Sequence, residues 1–441
     1  SSINAQIYTR GNRLDYDEWR QLGCTGWSFE DVLPYFRKAE DNDTHGAPYH
    51  GQGGPLGVSQ PRAPLPICEA WFAACAEMGI PRNMDMTGAS QDGVGHYQLT
   101  QRNARRSSTS VAYLRPAAGR ANLTVRTGAQ VRQLLIERGR AVGVRLMDGT
   151  DLRAEREVIL SAGAIGSPRL LMLSGLGPAD HLRGHGIAVL HDAPGVGSDL
   201  QDHVDLFAIA ECTGNHTYDR YARPFWSAVA GVQYLLTRRG PVASSLFETG
   251  GFWYADPAAR SPDLQFHLGL GSGIEAGVAR MPHGGVTLNS AYLRPRSRGT
   301  VRLATADPAA PPLIDPNYWA DPHDREMSVR GLKLVREMLA QTAMKPFVLA
   351  ERSPGPGVVT DADYHAYAAR SAKTDHHPAG TCRMGADGAA VVDVRLRFNG
   401  IAGLRVVDAS VMPRLVSSNT NAPTIMIAEK ACDMIRADHA L

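Results

Sequence analysis

The sequence lacks the features that would place it in several large classes. No apolar run reaches the roughly 18 to 20 residues of a membrane-spanning helix, so no membrane span is expected. Six cysteines in 441 residues form no CxxC pair and no disulfide framework. That usage fits a reducing compartment, with the cytoplasm as the expected location. Neither sign of charge is in excess: 46 Lys and Arg face 44 Asp and Glu. Nothing in that balance suggests a nucleic acid or an anionic membrane as partner. No GxSxG elbow occurs, so a serine hydrolase is unsupported. No internal repeat is visible. No initiator methionine or apolar leader precedes SSINAQIYTRGN, an opening that reads as the middle of a loop.

What is there has the composition of a globular protein long enough for two or more domains, 43% hydrophobic and 20% charged. The texture is mixed α/β. WSFEDVLPYFRKAE offers Ser28 as a helix N-cap with Asp31 in the first turn. CEAWFAACAEMG reads as a helix stopped by Gly79. From Leu123 the hydrophobic period falls to two, and residues 123 to 163 read as a β-meander with turns at Arg138-Gly139 and Asp148-Gly149. Residues 205 to 320 read as strands of a second, largely antiparallel sheet. A helix follows in ADPHDREMSVRGLKLVREMLAQ, with Leu332, Val335 and Leu339 on one face.

Three segments carry chemistry. In REVILSAGAIGSPRLLMLSGLGP (156 to 178) a short strand, a turn of small residues and a helix start give a ligand's phosphate or ribose close access to the backbone. Ser167 is the expected cap and Pro168 the expected first-turn residue. The same pattern also describes an ordinary βα corner. In LRVVDASVMPRLVSSNTNAPTIMIAEKACDMI (404 to 435) a strand ends at Asp408 and a terminal helix starts near Asn421, with Pro423 in its first turn. The positive end of that helix suits a group that becomes anionic during reaction, although a well-capped terminal helix explains it equally. In TDHHPAGTCRMG (374 to 385) a loop holds His377 before a proline, and such a histidine can serve as a general base near neutral pH. A zinc site from His376, His377 and Cys382 is the rival reading. Adjacent residues seldom point at one ion and no second cluster has metal spacing, so no metal is assigned. Cys382 is read as a small buried hydrophobe.

Together these segments resemble the glucose-methanol-choline oxidoreductases, FAD-dependent alcohol oxidases and dehydrogenases. SSINAQIYTRG, GWSFEDVLPYF, GAIGSPRLLMLSGLGP, GVGSDLQDH, LRPRSRGTVRL, HHPAGTCRMG and NTNAPTIMIAEKA are similar to that family's motifs, in order, over essentially the whole chain. The resemblance implies a Rossmann-like FAD-binding domain beside a substrate domain with a mainly antiparallel sheet. The expected division is 1–204 for the first, with lid and loop insertions at about 44–115, then 205–373 for the second. Residues 374–441 then return to the first. It also implies oxidation of an alcohol to an aldehyde or ketone by hydride transfer to the flavin. His377 matches the general base and Asn421 the second active-site position. Asn4, Ala5, Gln6, Ile7, Val131, His376, Asp408, Ala409, Pro423 and Thr424 match positions that meet FAD. Ile3 stands where some relatives attach the flavin through a histidine, so non-covalent FAD is expected.

The expected partner is a small alcohol, uncharged or aromatic first and choline second, with Glu248, Phe252 and Trp253 in the segment where an ammonium cage would lie. Cyanohydrin cleavage, known on this scaffold, is the rival activity, and a flavin-free chain acting only with a partner is a third reading. In the family a G-x-G-x-x-G turn precedes SSIN, and GVGSDL at 195 to 200 lacks its third glycine and any βαβ context. A complementing N-terminal segment is therefore a further expected partner.

Overall fold

The computed structural model describes residues 4–272, 281 and 283–440. Ile3, on which the expectation of non-covalent flavin rests, lies outside them.

The first of two main hydrophobic clusters gathers both ends of the chain. Helix Arg13–Gln21 starts on a reciprocal cap, with Asn12 Oδ1 accepting from Leu14 N and Asp15 Oδ2 accepting from Asn12 N. Helix Phe29–Ala39 begins after Ser28, whose amide donates to Asp31 at 3.0 Å. Trp19 and Trp27 from this region bury fully against Val406, Val411 and Ile427 from the far end of the sequence. Of the span 123–163 read as a meander, Val131–Glu137, Arg140–Leu146 and Asp151–Arg153 pair antiparallel, and residues 123–130 hold no strand. Strand Val158–Leu160 then pairs parallel with Leu404–Val406, which joins sequence positions some 245 residues apart.

Where that parallel pair ends, the structure departs from expectation. The helix after Leu160 runs Gly163–Leu173 and starts four residues before Ser167. Its cap comes from the neighbouring strand. Asp408 Oδ2 accepts from Gly163 N at 2.8 Å and from Ser167 Oγ at 2.5 Å, while Oδ1 accepts from Ser410 N and Oγ. A carboxylate at a helix N-terminus satisfies an orphan donor and complements the dipole, so no local cap is needed. Pro168 therefore falls inside the helix. Its missing N–H would have met the carbonyl of Ala164. Thr381 Oγ1 donates to that carbonyl instead, at 2.6 Å.

The second cluster is built on an antiparallel sheet of seven strands. Its order runs Val348–Ser353, Val204–Cys212, Gly285–Tyr292, Leu264–Gly269, Thr249–Trp253 and Gly93–His96, with Lys373–Thr374 also paired to Val204–Cys212. Alternation sorts its two faces. Leu206, Ala208, Leu264, Phe266, Val286 and Leu288 face the cluster that helix Pro322–Ala340 covers with Leu332, Val335 and Leu339. The other face carries Asp205, Gln265, His267 and Asn289, and these are buried too. Buried polar residues in register on one face need partners or a ligand. Within the expected 44–115 insertion, Pro66–Glu77 is a helix of the second cluster and Gly93–His96 is an edge strand of this sheet. The span read as strands, 205 to 320, also contains a helix, Pro224–Thr237.

Candidate active site

The polar face of the sheet, the loop 373–377, the start of the terminal helix and the N-terminal loop enclose a cavity of about 340 Å³. That size suits a small molecule or one end of a cofactor. Asn4, Ala5 and Ile7 line one side, Asp205, His267 and Asn289 another, and His376, His377, Asn419, Thr420 and Asn421 a third.

Asp202 fixes the loop that carries the histidine. Its carboxylate accepts from His377 N at 2.9 Å, and from Thr374 Oγ1 and Tyr318 OH at 2.5 Å each. His376 turns through a left-handed backbone (φ 61°), its amide donating to Thr374 Oγ1, and stays exposed while His377 is buried.

The protons around His377 can be placed in sequence. His203 Nε2 lies 3.2 Å from the carbonyl of Leu293, which only accepts, so that nitrogen carries the hydrogen. His203 Nδ1 is then an acceptor, and it lies 3.0 Å from His377 Nδ1, which must donate to it. His377 Nε2 is left with a lone pair. Asn419 Nδ2 donates to that lone pair at 3.0 Å, because Asn419 Oδ1 is taken by Thr9 Oγ1 at 3.0 Å and Gln265 Nε2 at 2.9 Å. Burial pushes His377 down to about 4 and His203 well below the usual histidine range. Both rings are neutral at pH 7. The arrangement holds a neutral imidazole at the cavity wall, with Nε2 as the acceptor of the Asn419 amide.

A second chain crosses the sheet. Asn289 Nδ2 donates to Asp205 at 2.7 Å, and Asn289 Oδ1 accepts from His267 Nδ1 at 3.1 Å. His267 Nε2 therefore carries a lone pair too; it is buried, lines the cavity and has no partner among the described residues. Burial holds His267 down to about 3. Two sets of possible metal ligands fall in this region, His203, Asp375 and His377, and Asp205, His267 and Asp375. The hydrogen bonds just given already join His203 to His377 and, through Asn289, Asp205 to His267.

The residues fit a flavin at this cavity. The terminal helix Asn421–His439 presents its N-terminus there without a side-chain cap. Thr420 Oγ1, buried at the same place, has no hydrogen-bond partner among the described residues. An uncapped helix start and an orphan hydroxyl suit an electron-rich ring edge.

Of the residues predicted from sequence, His377, His376, Asn421, Asn4, Ala5 and Ile7 come together at the cavity. Gln6 sits in the same loop (φ 69°) but does not line the cavity, its carbonyl accepting from Thr100 N at 2.7 Å and its side chain from Gln101. Pro423 and Thr424 follow in the first turn of the terminal helix. Asp408 and Ala409 are buried, with the Asp408 carboxylate engaged by the four donors named above. Val131 opens the meander and does not line the cavity; Glu248, buried and pushed up to about 7 by that burial, does not line it either. The hydrogen bond to His377 Nε2 comes from Asn419, two residues before Asn421. Sequence reasoning missed Asn419, His203, Asp202 and His267. The first lies inside NTNAPT and the next two inside GVGSDLQDH, motifs already singled out, whereas nothing in the sequence marks His267.

The mixed helix and sheet fold thus joins a parallel-strand corner, an antiparallel sheet and a buried neutral histidine at a cavity. The chain belongs to the GMC oxidoreductase family, whose N-terminal part matches residues 1–205 and whose C-terminal part matches residues 295–428. It is 40% identical to the human protein named choline dehydrogenase, mitochondrial, over 100% of this chain and 75% of that one. It is 41% identical to alcohol dehydrogenase [acceptor] of Pseudomonas putida, over 99% of this chain and 80% of that one. Among solved structures, an FAD-dependent oxidoreductase from Chaetomium thermophilum superposes with a TM-score of 0.92 at 26% identity, covering 100% of this chain and 85% of that one.

Proposed function

We propose that this protein oxidises a small alcohol to the carbonyl compound with FAD as its cofactor, held without a covalent bond. The observation that carries the reading is the pair at 3.0 Å, His377 Nε2 and Asn419 Nδ2, set at the cavity wall beside the terminal helix. Bound FAD supplies the hydride acceptor. An alcohol hydroxyl that takes the place of the Asn419–His377 contact donates to Nε2 and accepts from the Asn419 amide. As the C–H bond weakens, the hydroxyl proton moves to His377 Nε2, which is neutral and ready for it. The Asn419 amide stabilises the alkoxide character that grows on the oxygen. Asp202 holds the His377 backbone, and His203 holds its ring in the required tautomer. Asn421 and Thr420 lie at the helix start, next to the flavin's place.

The substrate favoured first is an uncharged or aromatic primary alcohol, because Phe247 and Lys373 line the cavity and Glu248 stands outside it. Choline is the second reading, supported by the Asp205 and Asp375 carboxylates on the wall and by the relatives named choline dehydrogenase.

The test is anaerobic bleaching of the bound flavin by benzyl alcohol and by choline. Bleaching by either supports alcohol oxidation and ranks the two substrates. No bleaching by any alcohol, with aldehyde and cyanide released from a cyanohydrin, refutes it in favour of the lyase activity. Flavin in the supernatant after acid precipitation is the expected sign of non-covalent binding.

A further inference from the structure

Helix Pro224–Thr237 is apolar on the outside of the molecule. Phe225, Val229, Val232 and Leu236 recur at i, i+4, i+7 and i+11, which places them in one stripe. Trp226 and Leu235 flank it. All six are exposed, Phe225 at 70%, Leu235 at 69% and Leu236 at 79%, while Ala230 is the one buried residue of the helix. With Val242 and Leu246 just beyond, this short stretch supplies eight of the 21 large hydrophobic side chains exposed among the described residues. Such segregation on one element marks a surface that meets an apolar phase or partner. The helix is nonetheless seated on the fold, with Tyr234 OH donating to Ala104 O at 3.0 Å.

The charges say what kind of partner. From Arg220 to Phe247 there is no Asp or Glu, and four arginines bracket the stripe: Arg220 and Arg223 before it, Arg238 and Arg239 after it. Among the described residues none of the four pairs with a carboxylate, and Arg220 donates to Tyr221 OH at 2.6 Å. Arg220 stacks on Trp226 and Arg238 on Tyr234, at 5.1 and 5.0 Å from the ring centres. Arginines at both ends of an exposed apolar stripe, with an aromatic at its edge, match a bilayer surface, where acyl chains lie beneath anionic phosphates. A second copy of this chain fits badly, because pairing two stripes sets arginine against arginine.

We infer that helix Pro224–Thr237 docks the protein on an anionic membrane surface, lying in the interface without crossing it. This goes beyond the proposed reaction and does not rest on it. The helix leads through the turn Pro241–Ala243 to Phe247 on the cavity wall. Docking therefore sets a wall of the site close to the lipid.

The purified chain is sedimented with vesicles of phosphatidylcholine alone and with vesicles containing about one-third phosphatidylglycerol. The chain is expected to sediment with the anionic vesicles and to be released as salt rises towards about 0.5 M. Leu235→Glu with Leu236→Glu is expected to weaken binding at least tenfold, on the order set by burying a charge in place of two apolar side chains. Arg238→Ala with Arg239→Ala is expected to weaken binding to the anionic vesicles about tenfold or more. All four positions are on the surface, and an unchanged circular dichroism spectrum and thermal melting curve check that the variants fold. The inference is overturned if the wild type stays in the supernatant with anionic vesicles, or if either double variant binds as the wild type does. A dimer on gel filtration that the Leu235/Leu236 change abolishes, without vesicle binding, replaces the bilayer by a second copy and also overturns it.

Discussion

Replacing His203 by leucine removes the acceptor that holds the proton on His377 Nδ1, and nothing else that touches the substrate's place. In the wild type the wrong tautomer of His377 is disfavoured twice. Two lone pairs would face each other across the 3.0 Å between the Nδ1 atoms, and an N–H on Nε2 would meet the Asn419 amide. His203→Leu deletes the first of these. An unmet buried N–H costs about 1–3 kcal/mol. Part of that returns if the proton turns to Asp375 Oδ2, which lies 3.1 Å from the same nitrogen. The remainder, about 1.4 kcal/mol, corresponds to roughly a tenfold fall in the rate of flavin reduction.

The assay is stopped-flow flavin reduction under anaerobic conditions across a range of alcohol concentrations. The limiting rate is expected to fall while the apparent binding constant stays within about twofold, because His203 acts through the ring of His377. His203→Asn keeps an acceptor oxygen at this place and is expected to recover part of the rate. A limiting rate within twofold of wild type in His203→Leu, with flavin retained, would refute the tautomer argument. Loss of flavin would instead assign His203 to structure.

His377→Ala is expected to slow flavin reduction by about 100-fold or more with cofactor retained, measured by the same stopped-flow assay; Asn419→Ala is expected to fall less, since it removes one donor. Stability is expected to drop as pH falls from about 6.5 towards 4: His377 and His267 are neutral when folded, with values near 4 and 3, so the unfolded chain binds the extra protons. The shifts correspond to about 3 kcal/mol for His377 and about 5 kcal/mol for His267. Both are fully present above pH 6.5 and lost as pH falls through each folded value, and thermal unfolding at stepped pH checks the slope. Asp408→Ala leaves Gly163 N, Ser167 Oγ and the two Ser410 donors unmet, which is expected to lower stability by about 2–4 kcal/mol in urea unfolding. His267→Leu is expected to raise KM for diols more than for benzyl alcohol, because only a second hydroxyl can use its free lone pair; equal changes for both would argue against that role.

Hydrophobic periodicity and turn chemistry made the meander, the capped N-terminal helices and the amphipathic helix Pro322–Ala340 legible, because in each of them the local preference and the tertiary burial agree. The start of helix Gly163–Leu173 lies five residues earlier than the expected cap at Ser167 would give, for a physical reason. Its cap is Asp408, some 245 residues away, and a one-dimensional reading looks for a cap next door. The Asn419–His377 contact is hidden in the same way: NTNAPT offers two asparagines, and only the pitch of the chain entering the helix decides which amide reaches Nε2. His267 is invisible in sequence because its strand reads as a buried alternation whichever face is inward. Net charge says nothing of local patches. A sum of 46 against 44 is near zero, yet the 28 residues from Arg220 to Phe247 carry four arginines and no acid. Electrostatic attraction to a surface falls off within about a Debye length, roughly 8–10 Å. A bilayer therefore responds to the charges on the face presented to it and hardly to those on the far side. The same stretch conceals its place on the surface, since an apolar stripe on a helix is normally read as the face turned to the core. Only its placement on the outside of the fold turns that composition into an interaction surface.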